Sequence, residues 1–242
     1  MSTPDIAPTV VLVHGAFVDA SSWTGVIAEL KTAGRDVVAP PNLLRGVGVD
    51  AAYLTGFVAA LGRPVVLVGH SYAGAVISQT GSDAGNVAGL VYVAAYAPEA
   101  GEALGAINTR YPDTPLSAAL RTFTYTYEHG EQATDTYIDA ALVLDAVCVE
   151  APAVVADTLA RTQRPASLAA FATAVTGTPA WQRLPSWAVV ATADHAIQPQ
   201  AERDMAKRAG SEVTEIDASH AVPATHPADV AAVIVRAVKA IG

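Results

Sequence analysis

One stretch of this 242-residue chain carries more chemical information than any other: Val65–Gly74, VVLVGHSYAG. A run of β-branched residues enters Gly69-His70-Ser71-Tyr72-Ala73, and an Ala-rich helical segment leaves it. A serine at such a strand-to-helix turn is held in a strained conformation, its hydroxyl pushed clear of the sheet toward a helix N-terminus. The residues two before and two after it must be small. Gly69 and Ala73 meet this, although Ala73 stands where the usual pattern has glycine. A serine so placed is suited to nucleophilic attack on a carbonyl, which requires donors for the developing oxyanion. The backbone N–H of Tyr72, next after the serine, is one candidate. The other is Ala16, in His14-Gly15-Ala16-Phe17 at the end of the preceding apolar run. Phe17 and Tyr72 flank these donors, and Phe17, Gly15 and His70 are expected to contact substrate.

A nucleophilic serine needs a base, and the base needs a carboxylate to orient it. The chain holds six histidines: 14, 70, 129, 195, 220 and 226. His14 and His70 precede the serine and His129 lies in a helical region. His195 adjoins Asp194, and His226 sits against Pro227, where the last helix begins. His220 is therefore the expected base, with His226 as the fallback. Asp194 directly follows the run SWAVVAT and is the expected orienting acid. Asp217, three residues before His220, and Glu99, after a further apolar run, are the alternatives. Asp194 and His220 both fall at strand C-terminal ends, where open α/β sheets place their ligands.

These residues need a scaffold that presents strand ends side by side. Thr9–Val13, Asp36–Ala39, Pro64–Val68, Val87–Ala94, Ser186–Thr192 and Ser211–Ile216 read as strands. Helical patterns follow them at 19–33, 50–61, about 72–79, 200–209 and 227–240, with Asp50 as an expected N-cap. Near-continuous apolar strands alternating with helices predict a parallel sheet covered on both faces. The rhythm breaks at Pro98. From 98 to 185 the pattern reads as all-helical, punctuated by prolines, with no strand-turn-strand signal. The expected organisation is a core of residues 1–97 and 186–242, interrupted by a helical cap at 98–185.

Composition narrows the classes. Hydrophobic residues make up 52% and charged residues 15%, below the usual share of about 25% charged, which argues against disorder. A net charge of −9 without a basic run disfavours nucleic acid and anionic membrane. A lone cysteine, Cys148, excludes an intramolecular disulfide and any multi-cysteine zinc site. Met1–Pro8 carries no Lys or Arg, and the apolar run after it is too short for a signal peptide. No stretch approaches the ~18 apolar residues of a membrane span. A cytoplasmic protein is expected, with no metal and no cofactor: no phosphate loop and no dinucleotide-binding glycine motif occur.

Taken together, VVLVHGAF at 10–17, GHSYAG at 69–74, the strand leading to Asp194 and ASHAV at 218–222 resemble the α/β-hydrolase superfamily over nearly the whole chain. The absence of leading strands, the tract LVYVAAYAPEAGE at 90–102 and Pro185-Ser186-Trp187 are similar to a compact branch. That branch holds plant methyl esterases, hydroxynitrile lyases and bacterial pyrethroid-type carboxylesterases. The resemblance implies a six-stranded, mainly parallel sheet with a helical lid. It also implies Ser71 as nucleophile, His220 as base, Asp194 as orienter, and Ala16 and Tyr72 as oxyanion donors. Lyases of this branch carry Thr or Asn after the first-strand histidine, and one group carries Lys after the catalytic histidine. Here those positions are Gly15 and Ala221, which favours ester hydrolysis over lyase chemistry. A slow-turnover small-molecule receptor is a further alternative. Aromatic residues of the insertion (Tyr111, Phe123, Tyr125, Tyr127, Tyr137, Phe171 and Trp181) are candidates for an apolar pocket suited to an uncharged hydrophobic ester.

Overall fold

Side chains along each apolar strand alternate between two packed faces, which is why the runs are apolar throughout rather than at every second residue. A computed structural model describes residues 7–242. The leader reading and the first residues of the expected core therefore fall largely outside the described residues. Strand β1 (Thr9–Val13) leads through a short 3₁₀ turn capped by Asp19 into α1 (Thr24–Thr32). Then come β2 (Val37–Val38), α2 (Val47–Leu61), β3 (Val65–His70), α3 (Ala73–Asp83) and β4 (Val87–Val93). Val11, Val13, Val65 and Leu67 face one apolar cluster, with α2 and α3. Val10, Leu12, Val66 and Val68 face the other, with α1 and the C-terminal helix.

Residues 98–185 contain α4 (Leu104–Asn108), α5 (Pro115–Ala119), β5 (Leu120–Thr126), β6 (Gln132–Ile138), α6 (Val143–Val147), α7 (Ala153–Thr162), β7 (Ala166–Ser167) and α8 (Ala169–Ala172). The insertion is thus not all-helical. β5 and β6 pair antiparallel over seven residues each, and β7 adds to β6. The tight connection is made by His129 and Gly130, both at positive φ. The core resumes with β8 (Ser186–Ala191), α9 (Pro199–Arg208), β9 (Glu212–Ile216), α10 (Val222–Thr225) and α11 (Pro227–Ile241).

The main sheet has the order β2-β1-β3-β4-β8-β9, all parallel. From β1 the chain moves outward to β2, then returns to the other side of β1 and builds β3, β4, β8 and β9. The direction reverses between β1 and β3, so their exits part and leave a crevice, the place where parallel α/β sheets hold ligands.

Candidate active site

Ser71 occupies the exit of β3 with φ 54°, a left-handed conformation costly to a residue with a Cβ. The turn is pinned from three sides. The Ser71 N–H donates to Val93 O, and Ser71 O accepts from the N–H of Gly74 and of Tyr96. Space explains the glycines. A Cβ at Gly69 would come within 2.7 Å of Ala73 O, and one at Gly74 would collide with Tyr96 O. Ala73 is fully buried with its methyl accommodated, so the tight approaches in this turn fall at 69 and 74.

The Ser71 hydroxyl lies 2.8 Å from His220 Nε2, and His220 Nδ1 lies 2.6 Å from Asp194 Oδ2. With Nδ1–H donating to the carboxylate, Nε2 is left to accept the serine proton. Asp194 follows β8 and His220 follows β9, so adjacent strand exits bring together residues 26 positions apart. The Asp194 carboxylate is buried, and its Oδ1 accepts the N–H of Ala196 (2.6 Å) and Ile197 (2.9 Å). Burial alone would raise its pKa, but the His220 charge and hydrogen bond and these two amides outweigh burial and hold it below the usual carboxylate value.

The other sequence candidates lie elsewhere. Glu99 is largely exposed and 3.8 Å from Arg208. Asp217 is exposed and accepts from Thr192. The His195 ring meets Asp145 O, and His226 meets the Thr225 hydroxyl.

Ala16 and Phe17 lie at the exit of β1, facing Ser71 across the crevice, and Phe17 is also at positive φ, 66°. Neither the Ala16 nor the Tyr72 N–H donates to a protein acceptor among the described residues. The loop is braced by His14. Its Nε2 accepts the Asn42 N–H at 2.9 Å, so its Nδ1 donates to Gly15 O. Gly15 packs behind the serine rather than in the cavity wall: a Cβ there would sit 2.9 Å from Ser71 Cβ and 3.1 Å from His70 Nδ1. His70 reaches the cavity and donates from Nε2 to His220 O, 2.9 Å. Burial, aided by the neighbouring His220, pushes its pKa down to about 3, so it stays neutral.

Above Ser71 is a cavity of about 310 Å³. Its floor includes Ala16, Phe17 and His220, and its far wall is aliphatic: Val143, Val147, Val155 and Leu159 from α6 and α7. Of the insertion's aromatics named from sequence, only Phe171 lines it, stacked 6.0 Å from Phe17. Phe123, Tyr125 and Tyr127 project from the exposed face of the hairpin, and Trp181 is buried with its N–H on Pro98 O.

Asp50 and Glu202 are buried acids whose roles beside the site the sequence reading missed. Asp50 is not the N-cap of α2, which starts at Val47; it accepts the Tyr72 hydroxyl at 2.7 Å and the Arg45 N–H at 3.0 Å. Glu202, on α9, is buried beside Asp194. The signal was present: each carboxylate interrupts a buried helical stripe (Val47, Ala51, Leu54; Ala201, Met205, Ala206).

Known proteins share this arrangement of elements. The model of the alpha/beta hydrolase family matches residues 10–233. This chain belongs to that family. Among curated proteins none matches it significantly. Solved structures of other proteins superpose over nearly the full length. Polyneuridine aldehyde esterase has a TM-score of 0.81 at 18% identity, covering 96% of this chain and 99% of its own. A pyrethroid hydrolase from Sphingobium faniae JZ-2 gives 0.76 at 19%, covering 96% and 98%. A methylesterase from Arabidopsis gives 0.76 at 18%, covering 96% and 99%. At these identities the likeness is one of fold. Among the described residues of this family member, no three His, Cys, Asp or Glu side chains are grouped to hold a metal, and no helix is long and apolar enough to cross a membrane.

Proposed function

We propose that this alpha/beta hydrolase is a serine carboxylesterase acting on an uncharged, hydrophobic ester. The observation that carries the reading is the continuous chain Ser71 Oγ–His220 Nε2, His220 Nδ1–Asp194 Oδ2, at 2.8 and 2.6 Å. Ser71 Oγ attacks the ester carbonyl carbon while its proton passes to His220 Nε2. The negative charge on the former carbonyl oxygen is met by the N–H groups of Ala16 and Tyr72; one such donor contributes roughly 2.7–4 kcal/mol. Collapse of the tetrahedral intermediate expels the alcohol, which takes the proton from His220 and leaves an acyl-serine. Water then attacks the acyl carbon, gives its proton to His220, and the carboxylic acid departs as the proton returns to Ser71. Asp194 keeps the imidazole in the tautomer that can accept and stabilises its cation. No metal or cofactor takes part in these steps.

The substrate class rests on the cavity walls, which are mostly aliphatic and aromatic and include one acid, Asp19, but no Lys or Arg. Residues 98–185 act as the cap over a core of 1–97 and 186–242, with Phe17 and His70 against the substrate and Gly15 giving the loop its close approach to Ser71. Ala221 in the wall offers no cation for a cyanide leaving group, which favours hydrolysis over the lyase reading. A cytoplasmic setting and independence from nucleic acid and membrane belong to the same proposal. The test is a panel of p-nitrophenyl, aryl and alkyl esters with wild type and Ser71→Ala. Hydrolysis by the wild type alone supports the reading. Tight binding of an apolar ligand without turnover would move it to a receptor.

A further inference from the structure

Glu202 is a buried acid that the proposed chemistry leaves unused. It stands in the first turn of α9 and is 3% exposed. Its Oε2 accepts the Ala191 N–H at the end of β8, 3.2 Å away. Its Oε1 is buried and finds no donor among the described residues. Asp194 is its neighbour in the same buried site: Glu202 takes the N–H of Ala191, and the O of that same residue accepts the Asp194 N–H at 3.3 Å. Two carboxylate oxygens with no proton between them repel; with one proton they form an O–H···O bond. Asp194 is the better anion of the two. It already accepts two backbone N–H groups and the His220 Nδ1–H, whereas Glu202 accepts a single amide. The neighbouring cation on α9, Arg203, is turned outward and bound to Glu215. The shared proton therefore resides on Glu202, and its orphaned oxygen becomes a donor.

We infer that Glu202 is a positioning residue of the Ser71-His220-Asp194 unit: a neutral carboxylic acid whose O–H donates to Asp194 and holds that carboxylate in line with His220. The inference rests on the esterase reading of those three residues. Burial and the charge of Asp194 push the Glu202 carboxyl well above its usual range, in keeping with a neutral acid. By donating to Asp194, Glu202 draws off part of the charge that Asp194 presents to the imidazole. The other groups facing this pair do not compete. His70, across the His220 ring, is held neutral by burial. Tyr96 is buried, with its pKa pushed up, and gives its proton to Asn108.

The test uses two substitutions and a reaction that needs no known substrate, fluorophosphonate labelling of Ser71 followed against pH. Glu202→Leu removes the donor. It is expected to slow labelling about tenfold, the loss of one hydrogen bond to a charged group. It should also raise the pH midpoint, because a bare Asp194 holds the imidazolium more tightly. Glu202→Gln restores an N–H toward Asp194 and an oxygen for Ala191. It is expected to recover the rate to within about threefold of wild type, with the wild-type midpoint. A midpoint lowered by Glu202→Gln would mean that a negative charge had been removed, and would overturn the neutral acid. Labelling of Glu202→Leu at the wild-type rate and midpoint would overturn the positioning role. Infrared spectra in the Ser71→Ala background give a readout independent of catalysis. A protonated-carboxyl stretch at neutral pH should vanish on adding Glu202→Gln, and its absence beforehand would overturn the assignment. A wild type that takes no label sinks the esterase reading, whereas a missing infrared band sinks only this one.

Discussion

At Ser71 the backbone is strained, the hydroxyl is bonded to a buried imidazole, and two backbone donors stand free nearby. Ser71→Ala should abolish ester hydrolysis with the fold intact, and mass spectrometry should map a fluorophosphonate adduct to Ser71 alone. An alanine variant with near wild-type turnover would remove Ser71 from the reaction. Asp194→Asn should leave KM largely unchanged and lower kcat by about 10⁴, because an amide favours the wrong imidazole tautomer. Glu99→Gln, exposed and facing Arg208, should change kcat by far less; the reverse ranking would move the acid to the fourth strand. Gly15→Ala should cost about 10² in kcat, since its methyl would press on Ser71 Cβ and displace the attacking oxygen. Unchanged turnover in a folded Gly15→Ala protein would show that the loop can yield.

Among elements, the β5–β6 hairpin is tied to the loop before α2 by one arginine. Arg45, in the loop before α2, donates to both Asp135 oxygens on β6 (2.9 and 3.1 Å), to Tyr125 and to Pro165 O. The same loop reaches the site: Arg45 N–H and the Tyr72 hydroxyl share the buried Asp50 carboxylate, and Tyr72 follows the nucleophile in sequence. Arg45→Met should therefore destabilise by about 1.5–3 kcal/mol, the range for hydrogen bonds to charged groups. Denaturant midpoints measure the loss. Limited proteolysis should cut the variant first within 120–138. Cleavage that begins in the main sheet, or an unchanged midpoint, would show the hairpin to be held by packing instead.

For the molecule as a whole, Glu102 links the segment after β4 to α9. Burial would raise its carboxyl, but hydrogen bonds from Arg208, the Glu99 amide and Arg110 prevail and hold it at about 2. A carboxylate depressed on folding stabilises above its unfolded pKa, about 4.3, and that contribution is lost as pH falls from there through the folded value. Stability should thus decline between roughly pH 4.5 and 2, and Glu102→Gln should decline less steeply over that window in acid denaturation followed by circular dichroism. Equal slopes would place the acid sensitivity elsewhere. Chelation should leave turnover untouched, because no metal-ligating cluster exists among the described residues. Activity lost to EDTA and regained with a divalent ion would refute this.

Much of the core was readable because both faces of each parallel strand are buried, so composition alone marks the strand. The six strands of the main sheet and the helices between them follow the apolar runs to within a few residues. Ser71, Asp194 and His220 could be named because each sits at a strand exit, a local feature of the chain. That they lie 2.8 and 2.6 Å apart depends on the run β3-β4-β8-β9 of parallel strands, which opens all of these exits at the same end of the sheet. The hairpin went unread because Phe123, Tyr125 and Tyr127 stay exposed, and an exposed strand shows no burial alternation; its Thr and aromatic enrichment was the remaining clue. Cavity lining was decided by packing of the insertion, which turned valines of α6 and α7 inward and most of its aromatics away. Asp50 and Glu202 were visible as charges in apolar stripes. Their partners, Tyr72 and Asp194, come from other elements, and the cost of burying a carboxyl is set by what folding places against it.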